Sequence, residues 1–210
     1  MAESGSPIAT GVVLAGGASR RMGRDKAALV LDGEPLLARV VNRLREAVDQ
    51  VMVIGPPDRA RIVPDVSVFP DLEPGLGPLG GIYSALRHAT TPRIFVAATD
   101  MPFLCPALVR HLIDLSRDHP IVVPRTDRGT EPLHAVYSQE CVPAILASLR
   151  AGDLAVASVF ARVPARVVER HEWMQYDPDG LSMLNVNTPE EWATARALAA
   201  RGGGAQRYSS

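Results

Sequence analysis

Residues 8–26 read IATGVVLAGGASRRMGRDK, an apolar run that empties into a Gly-Gly turn and then into clustered positive charge. The run at residues 8–14 reads as a strand, and Gly16-Gly17 opens the loop that follows it. Without a Cβ, these glycines let backbone N–H groups turn toward an anion and approach it closely. Arg20, Arg21 and Lys26 add fixed positive charge, and an arginine grips a phosphate through two nitrogens at once. The segment therefore predicts a strand and loop that hold several oxygens of a triphosphate. It is not a P-loop, because no Gly-Lys-Ser/Thr follows at the required distance. Nor is it the dinucleotide fingerprint, since Gly16, Gly17 and Gly23 stand at the wrong intervals. The bland alternative is a Gly-rich β–α turn with solvated arginines.

Working outward, residues 35–49 predict a helix, with Leu37, Val40, Val41, Leu44 and Val48 at helical spacing and Pro35 in its first turn. Residues 51–54 and 66–69 predict strands ended by glycine or proline. Residues 80–89 predict a helix that carries Ile82 and Leu86 on one face. The 94–98 run has almost no polar residue, as expected of a central parallel strand covered on both faces. Residues 106–117 predict another helix. Strands are expected at 121–123, 134–137 and 166–168, with helices at 140–150 and 153–160. A last helix begins after Thr188, which caps it while Glu191 reaches back, with Pro189 in the first turn. The order predicts an α/β fold: a mainly parallel sheet with helices on both faces, in three α-β-α layers. Residues 8–200 are expected to form one domain, between a loose segment at 1–7 and a frayed Gly-rich tail at 201–210.

Two carboxylates and a pair of amides stand out. Asp100 follows the 94–98 strand, at the edge where open α/β sheets bind ligands. A carboxylate there is suited to hold Mg²⁺ against a phosphate, since Mg²⁺ takes oxygen ligands and usually one or two carboxylates. The alternative is a loop Asp that caps the helix near Pro106. Asp71 ends another strand on the same expected edge and reads equally well as a polar turn residue. In LNVNTPEE, residues 184–191, Asn185 and Asn187 stand two apart, which puts both on one side of a strand. Their amide oxygens suit a magnesium shell, and their amide N–H groups a phosphate oxygen. His134 is expected to be structural, as lone histidines more often are.

Bulk properties narrow the classes. The 210 residues suit a single domain with a sizeable core. Lys and Arg number 22 against 23 Asp and Glu, so a net charge of −1 gives no general pull toward nucleic acid or anionic lipid. Cys105 and Cys141 are far apart and fit neither a disulfide framework nor a zinc site. No apolar run approaches the ~20 residues of a bilayer span, and no secretory leader is recognisable. A cytoplasmic protein without nucleic acid or membrane partners is the expectation.

LAGGASRRMGRDKA, residues 14–27, resembles the signature of the MobA-type guanylyltransferases, which have a Rossmann-like nucleotidyltransferase fold. GLGPLGGI (75–82), TDMPFL (99–104), EPLHAVY (131–137) and NVNTPEE (185–191) are similar to further segments of that family, in the same order. The resemblance implies that Leu14, Ala15, Gly16, Gly17 and Lys26 wrap the nucleotide phosphates, with Asp71 and Asp100 also on the nucleotide. It implies catalytic roles for Asp100, Lys26 and Arg21, a metal on Asp100 and Asn187, and an acceptor side at Asn185 and Asn187. Mg²⁺, GTP, molybdopterin as acceptor and transient contact with cofactor-delivery proteins follow from the same likeness. The chain departs from the family after Gly152-Asp153, where Leu154-Ala155-Val156-Ala157 replaces the customary basic residues, and this bears on acceptor recognition.

The implied reaction is attack by a terminal phosphate of the acceptor on the α-phosphorus of GTP, with pyrophosphate leaving. The nearest rival is a cytidylyltransferase acting on the same acceptor. Those relatives tend to read Leu-Ala-Ala-Gly where this chain has Leu14-Ala15-Gly16-Gly17, and tend to lack a leucine matching Leu79. Another small-acceptor nucleotidyltransferase, such as one acting on a sugar phosphate, a catalytically silent nucleotide-binding or partner-docking module, and a dinucleotide-binding oxidoreductase, which the glycine spacing disfavours, are the remaining readings.

Overall fold

Val12 and Val13 are both fully buried yet pack into different apolar clusters, so the first strand, β1 (Ala9–Leu14), is covered on both faces. The computed structural model describes residues 8–16 and 25–206. Expectations placed on residues 1–7 and 207–210, and on Gly17, Arg20, Arg21 and Gly23, lie outside the described residues. After β1 come β2 (Val30–Leu31), β3 (Glu34–Pro35), α1 (Leu36–Arg45), β4 (Gln50–Ile54), β5 (Ser67–Phe69), α2 (Gly77–His88) and β6 (Arg93–Ala98). The second half adds α3 (Pro106–Leu115), β7 (Ile121–Thr126), β8 (Gly129–Thr130), β9 (His134–Ser138), α4 (Val142–Arg150), β10 (Ala165–Val168), α5 (Arg170–Trp173) and α6 (Pro189–Gln206).

The main sheet runs β10-β7-β9-β6-β1-β4-β5, with β8 paired to β7. Pairings of β1 with β4 and β6, of β4 with β5 and of β7 with β10 are parallel. Along that seven-strand path only β9 runs antiparallel to its neighbours, β6 and β7, while β8 is antiparallel to β7. Residues 127–133 alone separate β9 from β7, too short a link for the crossover of a dozen or more residues that a parallel return needs. On one face, Leu37, Val40, Val41 and Leu44 of α1 and Leu108, Val109 and Leu112 of α3 pack on Val13, Val53 and Phe95. On the other, Leu79, Ile82, Ala85 and Leu86 of α2 and Ile145 of α4 pack on Val12, Met52, Ile94 and Val96. Each of the larger side chains among these contributes about 1.5–3 kcal/mol by leaving water. The three-layer α-β-α fold is the expected one.

Several details differ from expectation. Helix α1 stops at Arg45, and Val48 packs against the same cluster from the turn beyond it. Residues 153–160 form a 3₁₀ turn (Val156–Ala161) rather than an α-helix. Only Val156 and Val159 of that turn are buried, and their spacing of three matches the 3₁₀ period. Asp32 and Gly33, with φ of 50° and 80°, make an Asp-Gly hairpin between β2 and β3, a turn signal unread in the sequence. Helix α6 packs Ala195, Ala199 and Trp192 on Leu31, Leu36 and Val186. It continues to Gln206, beyond the point where a tail was expected, because extending a helix costs far less than starting one. Residues 184–187 form no strand, contrary to the two-residue spacing argument for Asn185 and Asn187. Val186 is fully buried and its N–H donates to the Asp100 carbonyl at 2.9 Å, so one bond to a turn replaces a ladder. Among the described residues no helix is long and apolar enough to cross a membrane.

Candidate active site

Three parallel strands end level with one another: Leu14 pairs with both Ile54 and Ala98. Their continuations, Ala15, Gly55 and Thr99, form one rim. The Ala15 N–H donates to the Ile54 carbonyl at 2.8 Å, and the Thr99 hydroxyl donates to the Leu14 carbonyl at 3.0 Å. Gly55 is required here, because a Cβ on it would lie 3.0 Å from the Ala15 carbonyl carbon. The segment leading into the Gly-rich loop is thus held rigidly at the C-terminal edge of the sheet.

Lys26 starts a short 3₁₀ turn (Lys26–Ala28) that Asp25 caps, its carboxylate accepting from the Ala27 N–H at 3.1 Å. Buried Ala27 fixes the turn to the core beside α1. From there the Lys26 Nζ donates to Asp100 Oδ2 at 3.0 Å and to Asn187 Oδ1 at 2.6 Å. Lys26 and Asp100 are only 17% and 18% exposed. Such a pair is a weak source of stability, since desolvation offsets much of the attraction. Its position on the ligand edge points instead to function.

The frame around the three is specific. The Asp100 carbonyl receives the Val186 N–H, and the Asn187 N–H donates to Glu191 Oε2 at 2.6 Å. Glu191 also accepts from the Thr188 N–H at 3.0 Å, while the Thr188 hydroxyl accepts from the Glu191 N–H at 3.2 Å. The expected capping box is present, and it has a second task unseen in the sequence: it aims Asn187. Asp100 does not cap α3, whose N-cap is Cys105 without a side-chain bond.

Other candidates stand apart from this triad. Asp71 lies on the same edge, past β5, but its Oδ1 accepts from the Ser84 hydroxyl at 2.7 Å and the Glu73 N–H at 3.1 Å. That fastens the loop ahead of α2. Asn185 is half-buried and makes no side-chain hydrogen bond among the described residues. Leu14 packs under α2 at Gly81, where a Cβ would approach it to 3.2 Å. Gly16 continues the rim beyond Ala15, and Gly17 and Arg21 fall outside the described residues.

Asp100 Oδ2 and Asn187 Oδ1 both face a single cation, the Lys26 ammonium. Two hard oxygens around one cation position fit Mg²⁺, which completes its shell with phosphate oxygens and water. Among the described residues no three His, Cys, Asp or Glu side chains gather to hold a metal by themselves. The donor set therefore suits a metal that arrives with an oxygen-rich substrate.

Behind the triad lies His134 on β9, fully buried, edge-on to Phe95 and 3.4 Å from the Ser182 hydroxyl. Burial holds its pKa down to about 3, from 6.5. The folded protein therefore keeps His134 neutral where the unfolded chain takes up a proton, and stability falls as pH drops below 6.5. Between pH 7 and pH 5 the loss is about 2 kcal/mol. His111, lowered by burial as well, adds to the same loss, and Asp177, raised by burial, opposes it, so the comparison with a His134 variant isolates this histidine's share. Urea unfolding across that window is expected to show the loss in the wild type and a flatter profile in His134→Leu. Parallel profiles would contradict it.

A family model described as a MobA-like NTP transferase domain matches residues 11–169. A probable molybdenum cofactor guanylyltransferase of Pelotomaculum thermopropionicum is 39% identical, covering 91% of this chain and 93% of the relative. The molybdenum cofactor guanylyltransferase of Desulfosudis oleivorans is 34% identical over 90% of this chain and 94% of its own length. Among solved structures, the molybdopterin-guanine dinucleotide biosynthesis protein A of Archaeoglobus fulgidus superposes with a TM-score of 0.81 at 25% identity, covering 91% of this chain and 99% of that one. Both the sheet-edge geometry and these likenesses lead to one assignment: the chain belongs to the family of MobA-like NTP transferase domains.

Proposed function

We propose that this protein transfers GMP from GTP to the molybdenum cofactor, forming the guanine dinucleotide and releasing pyrophosphate. The observation that carries the reading is the Lys26 ammonium held between Asp100 and Asn187 at the end of the strand that feeds the Gly-rich loop. The names of the relatives supply the acceptor and the base.

A terminal phosphate oxygen of the acceptor bonds to the α-phosphorus of GTP as the bond from that phosphorus to the bridging oxygen breaks. A phosphate nucleophile is already ionised at neutral pH, so no general base is needed. The protein has to orient the two phosphates and neutralise charge. Lys26, with Arg21, stabilises the departing pyrophosphate. Ala15, its N–H held by Ile54, sets the rim from which Gly16 offers backbone to the nucleotide. Asp100 and Asn187 would hold Mg²⁺, which supplies Lewis-acid polarisation of the α-phosphate. Asp71 orders the loop ahead of α2 beside the nucleoside. Both thiols, Cys105 and Cys141, are free, in keeping with a cytoplasmic setting.

Pyrophosphate release with molybdopterin and Mg²⁺ tests the reading. GTP is expected to outperform CTP by at least about tenfold, the worth of one net hydrogen bond to the base. Equal or better turnover of CTP would move the chain to the cytidylyltransferases, and no release with either nucleotide would end the catalytic reading.

A further inference from the structure

Arg59 is the most buried arginine or lysine among the described residues, 9% exposed, and the reaction above leaves it unused. It sits on a 3₁₀ turn (Pro57–Arg61) just past β4, where Pro56 and Pro57 send the chain away from the strand end. Its guanidinium makes hydrogen bonds in two places, with the neighbouring Asp58 carboxylate a looser charge contact at 3.9 Å. The Nε donates to the Ala15 carbonyl at 3.3 Å, and a terminal nitrogen pairs with Asp25 Oδ2. Ala15 stands before the Gly-rich loop and Asp25 stands after it.

Stability does not explain this arrangement. A buried ion pair gains little over well-packed apolar side chains, and Asp25 is 45% exposed, so water screens its half of the pair. What an arginine offers here is geometry, since its planar fork fixes the separation and direction of two acceptors at once. One acceptor belongs to the rigid sheet edge, through the Ala15 N–H bond to Ile54. The other caps the turn that begins with Lys26.

We propose that Arg59 is a positioning residue for nucleotide binding. By tying the Asp25 cap to the Ala15 carbonyl, it sets the Lys26 ammonium in register with Asp100 and Asn187. The proposal rests on the reading of Lys26 as a phosphate ligand. Arg59 acts through Asp25 and Lys26 and does not touch the nucleotide itself.

Binding of a fluorescent GTP analogue with Mg²⁺ tests this without the acceptor. Arg59→Ala loses both hydrogen bonds and is expected to weaken binding about 100-fold, the worth of two net hydrogen bonds. Arg59→Lys keeps the charge but satisfies only one acceptor, and is expected to weaken binding about tenfold. Asp25→Asn preserves the cap and loses the ion pair, and should match Arg59→Lys. Because the two residues act as a unit, combining Asp25→Asn with Arg59→Ala should leave binding at the level of Arg59→Ala. Thermal melting confirms that each variant is folded, and Arg59→Lys and Asp25→Asn carry the test if Arg59→Ala does not fold. Binding within twofold of wild type in Arg59→Lys and Asp25→Asn, or losses that multiply in the double variant, would overturn the proposal alone. Failure of the wild type to bind Mg·GTP would remove the nucleotide reading and this inference with it.

Discussion

Asp100→Asn is expected to lower the rate of GMP transfer by about 1,000-fold while the fold persists. The size follows from what is lost. A carboxylate that places a divalent ion on the reacting phosphate contributes several kcal/mol of transition-state charge stabilisation, and about 4 kcal/mol corresponds to three decades in rate. Asparagine keeps the shape and one oxygen but carries no charge to hold the metal. The backbone frame survives, because the Val186 N–H bonds to the Asp100 carbonyl and not to its side chain. Lys26 also keeps Asn187 as an acceptor. Loss of the charged partner in this mostly buried pair costs about 1.5–3 kcal/mol, which moves the melting temperature by about 3–12 °C in a chain of this size. The assay is single-turnover transfer under saturating GTP alongside thermal melting. Wild-type turnover, or loss of activity through unfolding, would remove Asp100 from its role.

The second large effect is expected at Lys26. Lys26→Met keeps the aliphatic stem that packs beside Asp100 and deletes the ammonium. Removing one fixed donor aimed at developing charge costs about 100- to 1,000-fold in rate, and binding of GTP should weaken with it. Arginine is not expected to substitute. Its longer planar fork cannot fit between Asp100 Oδ2 and Asn187 Oδ1, which stand 3.0 Å and 2.6 Å from a compact ammonium. Lys26→Arg should therefore fall well below wild type, although charge is conserved. Titration of GTP binding and measurement of kcat on both variants check the point, and full activity in Lys26→Met would contradict it.

How much was legible in the letters depends on distance along the chain. The strand into Gly16, the helical spacing of Leu37, Val40, Val41 and Leu44, and the apolar 94–98 strand are local patterns, and the structure realises each of them. The Thr188–Glu191 capping box is local too. Lys26 and Asp100 were legible as types in suggestive settings, and only the parallel register of β1 and β6 brings them together. Asn187 reached the site by a different route from the one its spacing suggested. An irregular segment, tied by Val186 and aimed by Glu191, takes the place of a strand. Arg59 gave no signal, since an arginine after two prolines looks like any surface turn until folding buries it against Ala15. The antiparallel β9 was hidden for a similar reason: strand content is local, while direction depends on the length of the link from β7.

The most direct measurement is a crystal structure with a non-hydrolysable GTP analogue and Mg²⁺. The expected result has an Asp100 oxygen on the metal at about 2.1 Å, and the Lys26 Nζ within about 3 Å of a phosphate oxygen. The phosphates would lie over Ala15 and Gly16. A nucleotide bound away from this sheet edge, with Lys26 still paired to Asp100 and no metal beside it, would contradict the assignment.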